Sequence, residues 1–283
     1  GGAAEHGHTG RLLGVALDGT GLGDDGTGWG GELLLIDNRQ DADLSDCGMK
    51  NNNNYCRLGH LSHMPLPGGD AAALAPWRMA QGLLSLVGVD EPLPEHCHWV
   101  KDEAGQADAN LLGQMLRQNA NVGRTSSCGR LFDAVAGLLG FPANMTFEGQ
   151  AAAWLEQLQT LEERGNYACA VNLEAERLLL DVPGLFAQVW EDVRSGIPAG
   201  IIARRFHLGL ANGLADLAAH AAQELGIQTV ALSGGVLQNR TMATALPGLL
   251  RARGLVPLMH KDVPCNDGGI SLGQAAWARA KGL

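Results

Sequence analysis

Short apolar runs bounded by glycine-rich turns mark the two ends of this chain. Residues 11–17 form an apolar run that leads into a polar glycine loop, and residues 29–36 have the pattern of the returning strand of a hairpin. Residues 228–232 and 255–259 repeat this pattern near the C-terminus. These four runs predict buried β-strands at both ends of the chain.

Apolar positions between these strands recur with the spacing of amphipathic helices. Asp70 is placed to cap the first of these helices, and Gly226 is placed to end the longest. Residues 37–63 are predicted to form a polar loop, and its central part, 47–56, contains four consecutive asparagines. The predicted helices cover residues 71–86, 107–118, 131–139, 149–164, 183–190 and beyond, 199–225, 236–253 and 270–280.

Two segments of the chain resemble each other. Val15-Ala16-Leu17-Asp18-Gly19 and Val230-Ala231-Leu232-Ser233-Gly234 are each a strand that enters a turn of small residues. This repeat favours a duplicated α/β fold in which two lobes each offer a strand and a loop to one nucleotide in a central cleft. The predicted division is an N-terminal α/β lobe at 1–125, a helical insertion at 126–225 and C-terminal α/β lobe elements at 226–283, within one domain overall.

Charge and composition narrow the classes of function. Acidic residues exceed basic residues by 30 to 20, which gives a formal net charge of −10 and disfavours nucleic acid and anionic lipid as partners. The sequence has no apolar run near the ~20 residues of a membrane helix and no secretory leader pattern. Six cysteines without a CxxC pair indicate reduced thiols, so we expect a cytoplasmic protein.

The turn Ser233-Gly234-Gly235 carries the most specific local signal for a ligand. The two glycines would let a nucleotide lie against backbone N–H groups, and the helix that follows would add its positive end. Asn239, further along that helix, would direct its amide at a ribose or a base. An ordinary strand-to-helix turn explains the same pattern, so both interpretations stay open here.

Two carboxylates are candidates for catalysis and for metal binding. Asp267 begins the last predicted helix, where it either caps the helix or binds a metal beside phosphates. Asp18 follows a strand and precedes Gly19, Thr20 and Gly21, a loop that suits phosphate binding. In that loop Asp18 would hold a metal or orient a nucleophile.

Two further segments offer polar groups near predicted helix starts. Arg130 would bind phosphate and Asp133 would accept hydrogen bonds from ribose hydroxyls, unless this is only a capped amphipathic helix. Glu148, before Gly149, is either a ligand or an acid favoured in a first helical turn. Cys128 lacks a neighbouring histidine, so a small packed residue is favoured over a nucleophile.

The motifs occur in an order that resembles a known family. The chain is similar, from about residue 4 onward, to the C-terminal TsaD-like domain of HypF, the carbamoyltransferase of NiFe-hydrogenase maturation, which has the two-lobed actin-like fold. The motifs that carry this resemblance are Asp18-Gly19-Thr20-Gly21, Trp29-Gly30-Gly31-Glu32, Leu66-Pro67-Gly68-Gly69-Asp70, Ser126-Ser127-Cys128-Gly129-Arg130-Leu131-Phe132-Asp133, Glu148-Gly149, Ser233-Gly234-Gly235-Val236 with Asn239, and Asp267-Gly268-Gly269.

The resemblance implies a reaction and a set of site residues. The carbamoyl group of carbamoyl-adenylate, made from carbamoyl phosphate and ATP, would pass to the C-terminal cysteine of the partner protein HypE. Asp267 would bind a divalent metal (Mg, Fe or Zn), and Asp18 would lie beside the metal and the phosphate, so both are expected to be catalytic. The residues expected to bind the nucleotide are Asp133, Glu148, Gly149, Ser233, Gly234, Gly235 and Asn239, with Gly19, Thr20, Gly21 and Arg130 at the phosphates.

Two departures from the family pattern limit these expectations. Family members carry a histidine-rich stretch upstream of the Asp18 strand, and His6 and His8 do not match its spacing, so we expect this chain to bind metal weakly or not at all. The adenylate-forming domain is also unmatched, so we do not expect this chain alone to make carbamoyl-adenylate. The alternatives are a TsaD-like tRNA threonylcarbamoyl transferase and a catalytically incomplete nucleotide-binding module that docks HypE.

Overall fold

A computed structural model of the chain describes residues 1–37, 39, 44, 55–89, 103–142 and 144–280. The described part contains one mixed sheet of nine strands, in the order β6-β7-β3-β2-β1-β8-β9, with β4 and β5 attached at β2. The strands are β1 (Arg11–Leu22), β2 (Gly28–Asp37), β3 (Tyr55–Leu61), β4 (Met64–Pro67), β5 (Val122–Thr125), β6 (Val171–Glu174), β7 (Arg177–Leu180), β8 (Thr229–Ser233) and β9 (Val256–Leu258).

Ten α-helices accompany the sheet in the described residues. Short 3-10 helices at Gly235–Gln238 and Asp267–Gly269 precede the last two of them. The α-helices are α1 (Gly2–Glu5), α2 (Asp70–Leu74), α3 (Pro76–Leu86), α4 (Glu103–Gln118), α5 (Cys128–Leu138), α6 (Gln150–Gln157), α7 (Val182–Arg194), α8 (Ala199–Leu225), α9 (Arg240–Ala252) and α10 (Ile270–Ala280).

The two similar segments of sequence lie side by side in the sheet. β1 pairs in parallel with β8, and Val15 is opposite Leu232. Parallel neighbours end at the same edge of a sheet, so the loops after Asp18 and Ser233 leave from the same edge. The N-terminal and C-terminal strands described here therefore share one continuous sheet.

Helices α3, α5 and α8 form a buried core with the sheet. Residues 12–15 and Leu17 of β1 are buried, so both faces of this part of the strand are covered. Phe132 of α5 meets Phe206 of α8 edge to face, with ring centroids 5.1 Å apart. This contact packs α5 against α8, and α5 also contacts β1.

Several predicted elements have the expected positions. The helix predicted at 199–225 is α8, which ends at Gly226 in a left-handed conformation with φ of 65°. Strands at both ends of the chain are also confirmed, with β1, β2, β8 and β9 covering the four apolar runs. The described helices contain no segment long and apolar enough to cross a membrane.

Other predicted boundaries are wrong for identifiable reasons. The helix predicted at 71–86 is two helices, because the residue before Pro76 adopts φ −125° and ψ 90°, outside the helical region. Asp70 does not cap α2, whose N-cap is Gly69 and has no side-chain hydrogen bond. The helix predicted at 149–164 ends at Gln157.

The predicted polar loop at 37–63 contains a strand, β3. β3 pairs with β2 and places Arg57 and His60 inside the protein. The short strands β4 to β7 were not predicted either. The asparagine run at 51–54 lies outside the described residues.

Candidate functional site

A cleft of about 210 Å³ opens at the sheet edge where β1 and β8 end. Five separate segments of sequence form its walls, and each of them contains a motif identified above. Its lining residues are Asp18, Gly19, Gly129, Arg130, Asp133, Glu148, Gly149, Ala152, Gly235, Val236, Gln238, Asn266 and Asp267.

The Asp18 loop, residues 18–20 of β1, where the pairing of β1 with β2 shifts register, brings Asp18 into the lining of the cleft. The Asp18 Oδ1 atom accepts a hydrogen bond of 2.9 Å from the Gly19 backbone N–H, which holds the carboxylate at the start of the loop. A Cβ atom on Gly235 would lie 3.0 Å from the same oxygen. The β1 and β8 loops therefore meet at the Asp18 carboxylate.

Gly234 allows the β8 turn to pass directly over β1. Its φ is +109°, and a Cβ atom here would lie 2.0 Å from the Leu17 carbonyl oxygen. Its N–H donates to the Cys265 carbonyl oxygen at 2.7 Å, which joins the turn to the segment that carries Asp267. Gly234 thus supports the cleft from behind, whereas Gly235 lines it.

The first turn of α5 contributes the buried charges of the cleft. Ser127 caps the helix by accepting a hydrogen bond of 3.1 Å from the Arg130 N–H. The Arg130 Nε atom lies 3.1 Å from the Asp133 Oδ2 atom, and both side chains are less than one-tenth exposed. Arg130 Nη1 is buried and has no hydrogen-bond partner among the described residues.

The environment of Asp133 favours its neutral form. Burial raises the pKa of Asp133 to about 7, although the neighbouring Arg130 guanidinium favours the ionised carboxylate. A titration near neutral pH at a cleft wall is a property often found at functional sites. Asp133 is therefore able to accept hydrogen bonds above about pH 7 and to donate one below it.

Glu148 and Asp267 are exposed carboxylates that both line the cleft. Glu148 reaches the Asp18 loop, because a Cβ atom on Gly19 would lie 3.3 Å from its Oε1 atom. Asp267 is not the cap of the final helical segment. Asn266 has that role and accepts a hydrogen bond of 3.1 Å from the Gly268 N–H, so the Asp267 carboxylate is available to the cleft.

The structure brings eight of the thirteen predicted site residues to the cleft and leaves five outside its lining. Thr20 and Gly21 lie further out in the exposed end of β1. Ser233 lies behind the turn, where its hydroxyl donates to the Cys265 carbonyl oxygen at 3.3 Å. The eight residues at the cleft are Asp18, Gly19, Arg130, Asp133, Glu148, Gly149, Gly235 and Asp267.

Asn239 has a structural environment that its sequence pattern did not indicate. Its Oδ1 atom accepts from the Met242 N–H at 3.1 Å, so it caps α9. Its Nδ2 atom donates to the His207 Nε2 atom at 3.0 Å, and His207 donates in turn from Nδ1 to the Ala203 carbonyl oxygen at 2.6 Å. Burial lowers the pKa of His207 to about 4, which keeps the ring neutral and able to accept this bond.

Some lining residues were missed by the sequence analysis. Gly129 lies within a motif already identified, and a Cβ atom there would be 3.1 Å from the Gly19 Cα atom. Gln238 is exposed beside Asn239, and Asn266 precedes Asp267. Each of these three residues is the sequence neighbour of a predicted site residue: Arg130, Asn239 and Asp267, respectively.

The sequence and the structure of this chain were compared with those of known proteins. The family described as "Carbamoyltransferase, Kae1-like Domain, second subdomain" matches residues 14–274. The chain belongs to the carbamoyltransferase HypF family. A "Carbamoyltransferase HypF homolog" from Cupriavidus necator is 39% identical over 276 residues, which are 95% of this chain and 65% of that protein.

Other HypF proteins match the same region. Carbamoyltransferase HypF from Rhizobium leguminosarum bv. viciae is 38% identical over 96% of this chain and 32% of its own length. The crystal structure of full-length HypF in a phosphate- and nucleotide-bound form superposes with a TM-score of 0.82, with 34% identity, and the match covers 98% of this chain and 40% of that chain.

These matches confirm the predicted α/β actin-like nucleotide-binding fold. The chain spans less than two thirds of the length of these HypF relatives. The region matched by the family description is a second subdomain.

The cleft contains part of a ligand set for the metal that the HypF resemblance implies. Asp18 and Asp267 both line the cleft, and Asn266 lies beside them. The described residues contain no group of three or more His, Cys, Asp or Glu side chains arranged to hold a metal ion. Two carboxylates fit a hard ion such as Mg²⁺, which completes its coordination with water and phosphate oxygens.

Three of the four described cysteines, Cys128, Cys169 and Cys265, are poor nucleophiles. Cys128 is fully buried, and burial raises its pKa well above the usual range. Burial also raises the pKa of Cys169 to about 12 and raises that of Cys265. In this HypF-family chain these three thiols are therefore largely protonated near neutral pH.

Proposed function

We propose that this cleft binds an adenine nucleotide, as ATP or carbamoyl-adenylate, and holds it for transfer of the carbamoyl group to the C-terminal cysteine of HypE. The observation that carries the proposal is at Arg130, a residue that lines the cleft and whose buried Nη1 atom has no hydrogen-bond partner in the described structure. An unsatisfied buried donor is costly, and an anionic oxygen of a ligand would satisfy it.

The lining residues suit the separate parts of such a ligand. Arg130 is assigned to a phosphate oxygen, because a guanidinium binds phosphate through several donors. Asp133 and Glu148 are assigned to ribose hydroxyls, which donate hydrogen bonds to carboxylates. Gly19 and Gly235 present backbone without a side chain, so the ligand is able to approach closely.

The charge of the cleft supports a role for a divalent cation. Four carboxylates face one guanidinium, so a polyphosphate alone would enter an unfavourable potential. Asp18 and Asp267 are assigned to Mg²⁺, which when bound would neutralise charge on the phosphate oxygens.

The transfer itself balances without a nucleophile from this chain. The partner's thiolate attacks the carbamoyl carbon, a C–S bond forms, and the bond from that carbon to the adenylate phosphate oxygen breaks. AMP leaves with the electron pair, and the thiol proton goes to solvent before the attack. The contribution of the cleft is to orient the adenylate and to stabilise charge on the departing phosphate.

Nucleotide binding is the first test. Calorimetry with ATP and with AMP in Mg²⁺ is expected to show binding to the wild type and at least about tenfold weaker binding to Arg130→Gln, since a charge-assisted pair is lost. Arg251→Gln, which removes an exposed arginine of α9, is the matched control and should bind as the wild type does. Equal binding by Arg130→Gln and wild type would contradict the assignment.

Carbamoyl transfer is the second test. Synthetic carbamoyl-adenylate, HypE and this chain are mixed, and mass spectrometry measures a carbamoyl adduct on the C-terminal cysteine of HypE. The proposal predicts an adduct that depends on Asp267, so that Asp267→Asn lowers its rate. Nucleotide binding without any adduct would favour the alternative of an incomplete module that only docks HypE.

A further inference from the structure

We propose that Glu32 and Arg57, a buried ion pair outside the lining of the cleft, act together as positioning residues that hold two walls of the nucleotide site. This inference rests on the proposed function for its binding readout. Glu32 belongs to the Trp29-Gly30-Gly31-Glu32 motif, and nothing in the transfer chemistry above uses that motif.

Arg57 uses each of its three guanidinium nitrogens. Nε donates to the Glu32 Oε2 atom at 2.6 Å, Nη1 to the Asp25 Oδ2 atom at 2.9 Å, and Nη2 to the Ser126 Oγ atom at 3.0 Å. Its side chain is 1% exposed and lies 4.1 Å above the Trp29 ring. A buried guanidinium with this many partners has one geometry available to it.

Glu32 links its ion pair with Arg57 to the backbone of β2 and to Ser126. Its Oε1 atom accepts from the N–H groups of Gly30 and Gly31 at 3.0 and 3.2 Å, and from the Ser126 hydroxyl at 2.5 Å. Ser126 thus receives a hydrogen bond from Arg57 and donates one to Glu32. The ion pair therefore fixes the residue that immediately precedes the cap of α5.

Ser127 carries this constraint into the cleft. Its hydroxyl donates to the Gly19 carbonyl oxygen and accepts from the Arg130 N–H. Gly19 and Arg130 both line the cleft. A shift of the Ser126–Ser127 segment would move the Asp18 loop and the first turn of α5 together.

The two glycines of the motif show how closely these walls approach β2. A Cβ atom on Gly30 would lie 2.2 Å from the Gly19 carbonyl oxygen, and one on Gly31 would lie 2.5 Å from the Ser126 carbonyl oxygen. Both contacts are with backbone, which has little room to move. The motif at residues 29–32 therefore packs against both walls through its glycines and holds Ser126 through the Glu32 carboxylate.

Asp25 holds the outer end of this network at the β1–β2 turn. Burial alone would raise its pKa, but hydrogen bonds from Thr27 and Trp29 and the charge of Arg57 hold the pKa of Asp25 well below its usual range. Asp25 and Glu32 therefore place two negative groups around one buried cation. Loss of Arg57 would leave the carboxylates of Glu32 and Asp25 without this donor. The segments that carry them are then expected to shift so that water can donate hydrogen bonds to these oxygens.

The experiment compares ATP binding by the full 283-residue chain and its variants in Mg²⁺, below the unfolding temperature of each protein. Arg57→Met is expected to weaken ATP binding about tenfold, the scale seen when residues that orient a binding group are removed. The double variant Glu32→Gln/Arg57→Met should bind no more weakly than the worse single variant, because the pair acts as one unit.

Arg205→Met is the matched control. Arg205 bonds to Asp192 and Glu163, neither of which lines the cleft, so this variant also loses ion pairs within the protein. It should lower the melting temperature and leave ATP affinity within about twofold, because nothing oriented at the cleft depends on it. Arg57→Met with unchanged affinity, or with a loss no larger than that of the control, overturns the inference.

A second readout separates this inference from the proposed function. Hydrogen exchange of the backbone N–H groups at residues 18–21 and 126–130 is expected to speed up in Arg57→Met and to remain unchanged in Arg205→Met. Wild-type protein that fails to bind ATP would refute the proposed function, and the exchange data would then still decide whether the pair holds these loops. Unchanged exchange in Arg57→Met would refute the positioning role.

Discussion

Asp133 and Arg130 show how a single buried turn sets the chemistry of the cleft. Both are nearly inaccessible, both lie on the first turns of α5, and the guanidinium has a donor without a partner in the described structure. Neither property was visible in the sequence, where the pair matched any capped amphipathic helix. Burial came from tertiary packing, which a local pattern does not contain.

The first prediction concerns the stability of Asp133→Asn as a function of pH. The folded pKa of about 7 is above the unfolded value, so the folded protein binds the proton more tightly than the unfolded chain does. The contribution of Asp133 to the free energy of unfolding is therefore largest below about pH 4, and it falls as the pH rises through 7, by at most about 1.4 kcal/mol per pH unit.

Asp133→Asn resembles the protonated form and should lose this dependence. Urea unfolding of both proteins between pH 5 and pH 8 measures it, as the difference in free energy between variant and wild type. That difference should grow in favour of the variant as the pH rises. A constant difference across this range would show that Asp133 titrates elsewhere.

At the scale of elements, the start of α9 is held by a buried chain of polar contacts. Asn239 caps the helix and also donates to His207 of α8, while its exposed neighbour Gln238 lines the cleft. Of these adjacent residues, Asn239 is buried in the protein and Gln238 lines the cleft. The sequence did not show which of the two side chains is buried.

The second prediction separates these two residues. Asn239→Ala removes a helix cap and leaves the His207 Nε2 atom without its donor, so the free energy of unfolding should fall by about 1–3 kcal/mol. Gln238→Ala should leave stability nearly unchanged and weaken ATP binding instead. Thermal unfolding and calorimetry on both variants measure the two effects, and an Asn239→Ala protein of wild-type stability would contradict the cap.

Elements were predictable where the hydrophobic pattern was regular and were missed where buried polar residues interrupted it. α8 has an uninterrupted amphipathic pattern and a glycine at its end, and it was found with its boundaries. β3 contains Arg57, Gly59 and His60, and it therefore resembled a polar loop. Arg57, whose charge made this segment look like a loop, is the residue that joins β3 to β2 through its ion pair with Glu32.

At the scale of the whole molecule, the protein carries a net negative charge, and the lining of its cleft is acidic too. The net charge is −10, and the cleft itself has four carboxylates against one guanidinium. The protein field therefore opposes the approach of a polyphosphate. The total charge and the seven motifs are visible in the sequence, but only the fold shows that five of the motifs share one cleft.

The third prediction is that ATP binding depends on Mg²⁺. Removal of the ion with EDTA should weaken ATP binding at least about tenfold, because the carboxylates then repel the phosphates without a bridging cation. Asp18→Asn/Asp267→Asn removes two of the repelling charges and should bind ATP with little response to EDTA. Wild-type affinity that is independent of Mg²⁺ would remove the metal from the proposal.

The parallel pairing of β1 with β8 has a consequence for synthesis of the protein on the ribosome. β1 emerges before β8, its parallel neighbour, and before the Asn266–Asp267 segment beyond it. Until those segments have emerged, the Asp18 loop has only part of its surroundings. A nascent chain that ends before Asp267 would lack part of the cleft, so ATP should protect from proteolysis only a chain that includes this segment.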